Sequence, residues 1–305
     1  MILIITHKED YTADFVINKL NNAGIKYFRF NCEDLDKINY FFENESNLIF
    51  NLNNVQSIKS IWFRRTKLPD LNLKNESDKI FILADYEMLL ENIYSVLESK
   101  KWLSHPKHVY QAENKIYQLR TAKDIGFKIP DTLITNQHLL LEKFIKKHNE
   151  NVIIKPIRQG RINHKNGLKS IFTNKISMST INGLNEFIIT PCIFQEYIDK
   201  EYELRITIVG NKCFSAKVNS QKFEESKIDW RKKNLKFEQY LLPKEISDMC
   251  LKLTQKLNLS FGAIDLIRNN KGEYVFLEIN PNGQWAWLET DAGLKISDEI
   301  INFLE

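Results

Sequence analysis

A chain of 305 residues is longer than one ordinary domain and shorter than three, which predicts two or three packed lobes. With 43% hydrophobic and 27% charged residues, and 19 Phe, 11 Tyr and 5 Trp, its composition excludes a disordered chain or a coiled-coil rod. The formal net charge is only +4, and the 43 Lys and Arg are interleaved with 39 Asp and Glu, which argues against nucleic acid as a primary partner.

The opening Met1 to Thr6 is a continuous apolar run without the cationic start or small-residue cleavage site of a signal peptide, so it predicts a buried strand. An amphipathic segment from Asp10 to Ala23, then Gly24 and a strand at Lys26 to Phe30, completes a β-α-β opening. A third run, Ile61 to Phe63, precedes a long helix carrying Ile80, Leu83, Ala84, Met88, Leu90, Ile93 and Leu97 at helical spacing. These elements predict an open, mostly parallel first lobe over residues 1–105, ending at Ser104-His105-Pro106.

A helix from Glu113 to Asp124 capped by Gly126, a strand at Thr132 to Ile134, and a helix from Gln137 to His148 open the second lobe, 106–190. Val152 to Pro156, a polar turn with Gly160, Asn166 and Gly167, and a strand at Lys169 to Thr173 make it a small α+β unit with a hairpin. Residues 191–305 predict an antiparallel third lobe. Its strands fall at Ile193 to Tyr197, Glu203 to Val209, Cys213 to Val218, Ala263 to Ile267 and Tyr274 to Ile279, with a helix from Pro243 to Leu257. The fold class is therefore α/β (α+β). No apolar run approaches the roughly 18 residues of a membrane span, and no membrane partner is expected. Cys32, Cys192, Cys213 and Cys250 lack paired-ligand spacing, which points to reduced thiols and a cytoplasmic setting. His105 and His108 flank Pro106 without a nearby third ligand and read as interlobe or surface residues rather than a metal pair.

The chemistry concentrates in Phe261 to Ile267 and Tyr274 to Gly283. Two apolar strands joined by Asn269-Asn270-Lys271-Gly272 form a hairpin, on which Glu278 and Asn280 share a face and Asp265 joins them from the partner strand. Two carboxylates and an amide carbonyl are hard oxygen ligands suited to Mg2+, and acids inside such apolar strands need a cation. Lys155 ends an apolar strand before a glycine-bearing turn, a placement that lets its ammonium reach phosphate oxygens, though a solvated strand-end lysine has the same signature. Lys115 carries the same two readings. Gln159-Gly160-Arg161 is the best phosphate turn, and no P-loop is present.

Taken together, Lys115, Val152 to Pro156, Gln195-Glu196-Tyr197-Ile198, Glu203-Leu204-Arg205, Asp265 and Glu278-Ile279-Asn280 resemble the ATP-grasp ligases in order and spacing. The resemblance implies an ATP-grasp fold whose central and C-terminal lobes clasp ATP and Mg2+, and an acyl phosphate made from a carboxylate. It implies that Lys115 and Lys155 bind phosphates, Gln195 to Ile198 line the adenine, and Glu203 holds the ribose. Arg205 would stabilise the transferring phosphoryl group, and Asp265, Glu278 and Asn280 would hold magnesium. Glu201, Glu203 and Arg205 alternate onto one strand face, and Glu201 could take the ribose instead if a bulge exchanged the two acids. Glycines are few between Lys155 and Ser170, where the family carries a Gly-rich flap; Arg158, Arg161 and Asn163 are the candidates to replace its backbone contacts.

A narrower resemblance rests on Ser60 to Arg65, Ser215 to Gln221, Asp229-Trp230-Arg231, Tyr240 to Pro243 and Asn280 to Trp285, which look like the microviridin-type, or graspetide, macrocyclases of ribosomal peptides. Those enzymes join Asp or Glu side chains of a precursor to Ser/Thr hydroxyls or Lys amines. The implied partner is a ribosomally made precursor peptide, a leader plus an acidic core, whose carboxylates Lys217 and Arg231 would steer. Asp229 to Arg231 also fits an ordinary surface turn, Trp285 and Trp287 read as packing, and a homodimer is suggested by the resemblance alone. Two further readings are a glutamate-adding or small-molecule carboxylate–amine ligase on the same scaffold, and a peptide-binding or nucleotide-sensing pseudoenzyme.

Overall fold

The computed structural model describes residues 1–44, 48–53, 55, 57–98, 100–158, 161–164, 167–182 and 191–305. The first lobe runs β1 (Ile2–Thr6), α1 (Tyr11–Asn22), β2 (Tyr27–Asn31), β3 (Tyr40–Asn44), β4 (Leu48–Leu52), β5 (Ser60–Phe63), α2 (Glu76–Val96) and β6 (Lys101–Leu103). Its sheet has the order β2-β1-β5-β6 and is parallel throughout. Burial on both faces explains the unbroken apolar run of β1: Ile2 and Ile4 pack with Val16 and Leu20 of α1, while Leu3 and Ile5 pack with Ile93 and Tyr94 of α2. The antiparallel β3-β4 hairpin and the three-residue β6 are additions to the sequence expectation. Asn and Glu interrupt the apolar pattern in the hairpin, and β6 is too short to carry one.

The middle of the chain forms α3 (Pro106–Ala112), α4 (Lys115–Ile125), β7 (Thr132–Ile134), α5 (His138–Lys147), β8 (Val152–Pro156), β9 (Arg161–His164), β10 (Gly167–Ser170), β11 (Asn174–Ile176), α6 (Met178–Asn182) and β12 (Cys192–Glu196). Asn114 caps α4 by accepting from the Tyr117 amide, and Gly126 ends it at φ +113°, where a side chain would be strained. Two expectations are corrected here. The strand expected at 169–173 lies at Gly167–Ser170, paired with β9, and β12 belongs to the central antiparallel sheet, order β11-β8-β12-β7, rather than to the third lobe. Gln159, Gly160 and Asn166 of the expected phosphate turn lie outside the described residues.

The third lobe contains β13 (Lys200–Val209), β14 (Lys212–Val218), β15 (Glu238–Gln239), α7 (Lys244–Lys256), β16 (Phe261–Asn269), β17 (Tyr274–Asn280), α8 (Ala286–Ala292) and α9 (Ile296–Leu304). Its antiparallel sheet has the order β15-β14-β13-β16-β17. One hydrophobic cluster runs from the first sheet through α3 and α4 to Leu204, Ile206 and Leu266, and a second joins α1, Trp62 and α9 to Val209 and Trp285. The central sheet and α5 instead bury Leu141, Ile145, Val152 and Phe194 in a core of their own. The first and third lobes are thus one packed body, and the central sheet is a separately cored piece above it. Among the described residues no helix is long and apolar enough to cross a membrane.

Candidate active site

The acids expected to hold magnesium do converge. Asp265 of β16 lies directly across from Glu278 of β17, and the Asn280 amide donates to both, 3.3 Å to Asp265 Oδ2 and 3.1 Å to Glu278 Oε1. The same amide's oxygen is the atom a hard cation would use. Burial would raise the Glu278 carboxyl, but the charges of Lys115 and Lys155 outweigh it and hold the group well below the carboxylate range. For Asp265 burial wins: despite Arg205, desolvation and the charge on Glu278 keep its carboxyl above the ordinary value. Two recessed acids driven apart in this way are a donor set that a divalent cation fits.

Helix α4 lies along the open edge of the sheet and positions β17. Lys115, in its first turn, sets its Nζ 2.8 Å from Glu278 Oε2. One turn later the buried Gln118 takes up both backbone groups of the next residue: its Nε2 donates to the Ile279 carbonyl at 2.8 Å and its Oε1 accepts from the Ile279 amide at 3.1 Å. Edge strands carry unpaired backbone groups, and this side chain closes them between two candidate ligands.

Arg205 of β13 donates from Nη1 to both oxygens of Asp265 at 2.8 Å and from Nη2 to the Gln284 carbonyl at 3.1 Å. Its buried Nε has no hydrogen-bond partner, an orphan donor beside the acids that an anionic group would satisfy. Glu203, two residues earlier on the same face, is buried and paired with Lys200 Nζ at 2.8 Å; burial pushes its carboxyl up and Lys200 opposes the shift. A register shift between Lys200 and Tyr202 turns Glu201 out to solvent, whereas Glu203 stays buried. Glu201 therefore does not share the face of Glu203 and Arg205, a correction to simple alternation.

In the central sheet Lys155 pairs across β12 with Ile193, and Ile153 with Gln195, so Lys155 and Gln195 share the face turned away from the sheet's own core. Lys155 is close enough to Glu278, Lys115, Asp265 and Arg231 to feel their charges; burial lowers its ammonium pKa, and Glu278 opposes that. Gln195 is buried and donates to Thr132 Oγ1 at 2.9 Å. Glu196 sits on the opposite face with Val152 and His148, and accepts from the Asp131 amide at 3.4 Å, so its side chain is not on the Lys155 side. Tyr197 and Ile198 follow at the sheet's end, Tyr197 donating its amide to the Asn151 carbonyl and carrying Lys175 Nζ 3.8 Å from its ring centroid.

The two residues expected to steer substrate carboxylates separate. Lys217 pairs with Leu204, on the face opposite Arg205 and Asp265, and stands 5.5 Å from the Tyr202 ring centroid; the structure does not bring it to the acids. The pleat's period of two is the physical reason, since Lys217 is one residue from Ala216, which faces Arg205. For Arg231 the hydrogen-bonded Asp229 is the first cause of a raised pKa, and the charges of Glu278 and Asp265 add to it, so its guanidinium lies within reach of the acids' field. Asp229 is buried, binds Arg231 Nε at 2.8 Å, and accepts from the Thr173 amide at 3.1 Å, so Asp229 ties the central lobe to the third, while the Arg231 side chain stays 52% exposed. Sequence reasoning missed Lys200 and Gln118, whose only signal was their spacing from Glu203 and Lys115, and gave no role to Gln284 within the stretch Asn280 to Trp285.

Comparisons with known proteins identify the fold that carries this geometry. Residues 112–304 match the model of the RimK-like ATP-grasp domain, and residues 1–110 that of the MvdD pre-ATP grasp domain. The fold is similar to the macrocyclase MdnC bound with precursor peptide MdnA from Microcystis aeruginosa MRC, with 26% identity, coverage of 100% of this chain and 99% of the other, and a TM-score of 0.86. It is equally similar to a Chryseobacterium gregarium RiPP-associated ATP-grasp ligase in complex with ADP and a leader and core peptide: 30% identity, 99% and 96% coverage, TM-score 0.86. A probable alpha-L-glutamate ligase of Haemophilus influenzae is 22% identical over 249 residues, 76% of this chain and 80% of the relative. Fold, acid cluster and matched domains lead to one conclusion: this chain belongs to the RimK-like ATP-grasp family, and it is an ATP-dependent carboxylate ligase.

Proposed function

We propose that the enzyme is a peptide macrocyclase, joining Asp or Glu side chains of a ribosomal precursor to Ser/Thr hydroxyls or Lys amines in the same peptide. The observation that carries this reading is likeness over the whole chain, first lobe included, to two ligases solved with their peptides. Asp265, Glu278 and Asn280 would hold Mg2+, which supplies positive charge against the phosphate oxygens of ATP. Lys115 and Lys155 neutralise the same phosphates, Glu203 holds the ribose, Gln195, the Glu196 backbone, Tyr197 and Ile198 line the adenine, and Arg205 meets the charge that develops on the transferring group. A substrate carboxylate oxygen attacks the γ-phosphorus, the bond to the ADP oxygen breaks, and an acyl phosphate forms. The hydroxyl or amine then attacks the carbonyl carbon, loses its proton, and expels inorganic phosphate, so each ring costs one ATP and releases the elements of one water. The free thiols of Cys32, Cys213 and Cys250 support a cytoplasmic setting.

Hydroxylamine tests the activation step, because it intercepts acyl phosphates as hydroxamates. With ATP, magnesium and an acidic precursor, the wild type should yield peptide hydroxamate, and Glu278→Gln should yield none while keeping its fold by circular dichroism. Undiminished turnover in that variant would sink the metal assignment. The glutamate-ligase relatives favour a second reading, in which the peptide gains glutamate rather than losing water.

A further inference from the structure

We propose that Asp131, His148 and Glu196 form a second metal site, for a transition-metal dication of the zinc class, on the face of the central sheet opposite Lys155 and Gln195. Three separate elements bring these residues together. Glu196 ends β12 and lies directly across from Asp131, which precedes β7: the Glu196 amide donates to the Asp131 carbonyl at 3.0 Å, and the Asp131 amide donates to Glu196 Oε2 at 3.4 Å. His148 closes α5, the helix that packs Leu141 and Ile145 on this side of the sheet, and its ring centroid rests 4.7 Å from that of Phe144. Lys155 and Gln195 face the other way, so the cluster is distinct from the acids of β16 and β17.

Two carboxylates opposed across a sheet repel each other, and a cation between them removes that cost. The ligand atoms of the three residues all lie within 4.8 Å of one another. The His148 side chain is 10% exposed, and its Nε2, 3.4 Å from Asp131 Oδ2, has no hydrogen-bond partner among the described residues, so a buried nitrogen is aimed at the acids. Zinc bonds of about 2.0–2.1 Å in a tetrahedron place neighbouring ligand atoms roughly 3.4 Å apart, the spacing this pair already has. Asp131 is in its ligating form, because the hydrogen-bonded Lys147 holds its carboxyl below the ordinary value against the opposing effect of burial. Lys147 Nζ, 2.5 Å from Asp131 Oδ2, is the competitor for that oxygen; its side chain is 64% exposed, and an ion pair so open to water yields readily. One imidazole nitrogen with two carboxylates disfavours Mg2+ and Ca2+, which prefer oxygen alone, and suits zinc-like ions, with the half-exposed side of Asp131 leaving a fourth position to water. The ion staples the end of α5 to β7 and β12, one residue before Tyr197.

Titration of the full chain with zinc against a chromophoric chelator tests this, in saturating magnesium and ADP to keep zinc off Asp265 and Glu278. No peptide substrate is needed, so the result stands apart from the macrocyclase reading. The wild type should hold one zinc in competition with the chelator, and His148→Gln and Glu196→Gln should each weaken it about tenfold or more. Lys147→Ala, which frees Asp131, should tighten it about twofold or more. Circular dichroism checks that each variant folds, and Asp131→Asn, at a half-exposed position, replaces any that does not. Anomalous diffraction at the zinc edge should place the ion between Asp131 and His148. Equal affinity in the wild type and the ligand variants overturns the proposal, as does the absence of saturable binding, or an anomalous peak at the cysteines or at the acids of β16 and β17 instead.

Discussion

Glu278 and Asp265 are the same kind of group a few ångströms apart, yet one is held below and the other above the carboxylate range, because two lysines face Glu278 while burial dominates at Asp265. Gly283 shows how tightly the surroundings are built. A Cβ there would overlap Ala263 Cβ and stand 2.9 Å from Arg205 Nη2, with Asn280 Cβ at 3.2 Å. Ala263 is fixed in a central strand, so the segment at residue 283 must shift, and with it the Gln284 carbonyl that Arg205 holds. Gly283→Ala should therefore lower kcat by about tenfold or more through displacement of Arg205, with a smaller effect on the KM for ATP. Steady-state kinetics checks this, and unchanged kcat would show that Arg205 is not held for transfer.

Each functional group is delivered by an element whose ends or edges are pinned. Helix α1 begins at Asp10, whose carboxylate caps it through the Thr12 and Ala13 amides, accepts from Thr6 Oγ1 at 2.8 Å, and pairs with Arg64. Burial would raise the Asp10 carboxyl, but Arg64 wins and lowers it. A depressed folded-state pKa contributes stability above the unfolded value, about 3.9, and that contribution is lost as pH falls through the folded value. Asp10→Asn should thus cost about 3 kcal/mol at neutral pH, since it strands a buried guanidinium, and the deficit should shrink below about pH 4. Urea unfolding of both proteins across that window measures it; a deficit constant with pH would contradict the pairing. The elements were legible where periodicity and caps agree, as in β1, α4 with Asn114 and Gly126, and the β16-β17 hairpin. Strand β12 was placed in the wrong lobe because its partners β7 and β8 are antiparallel neighbours that no local pattern reveals. Glu201 was set on the wrong face because a bulge cancels the period of two, and Lys217, expected to steer substrate carboxylates, lies on the face opposite Arg205 and Asp265.

At the scale of the molecule, the first and third lobes share two cores while the central sheet keeps its own. Lys155 and Gln195 come from the separately cored piece; Lys115, Arg205, Asp265 and Glu278 come from the common body. The site is therefore assembled across the cleft between them, the arrangement that lets a nucleotide be enclosed as two bodies close. Only the residue types and their order were readable in sequence; which faces meet across the cleft depends on long-range pairing. The central claim is intramolecular condensation on a peptide. Its most direct test is intact mass spectrometry of an acidic Ser-, Thr- or Lys-containing precursor incubated with the enzyme, ATP and magnesium. A macrocyclase gives ATP-dependent loss of one water per ring, whereas a gain of glutamate mass, or an unchanged peptide while ATP is consumed, would rule that reaction out.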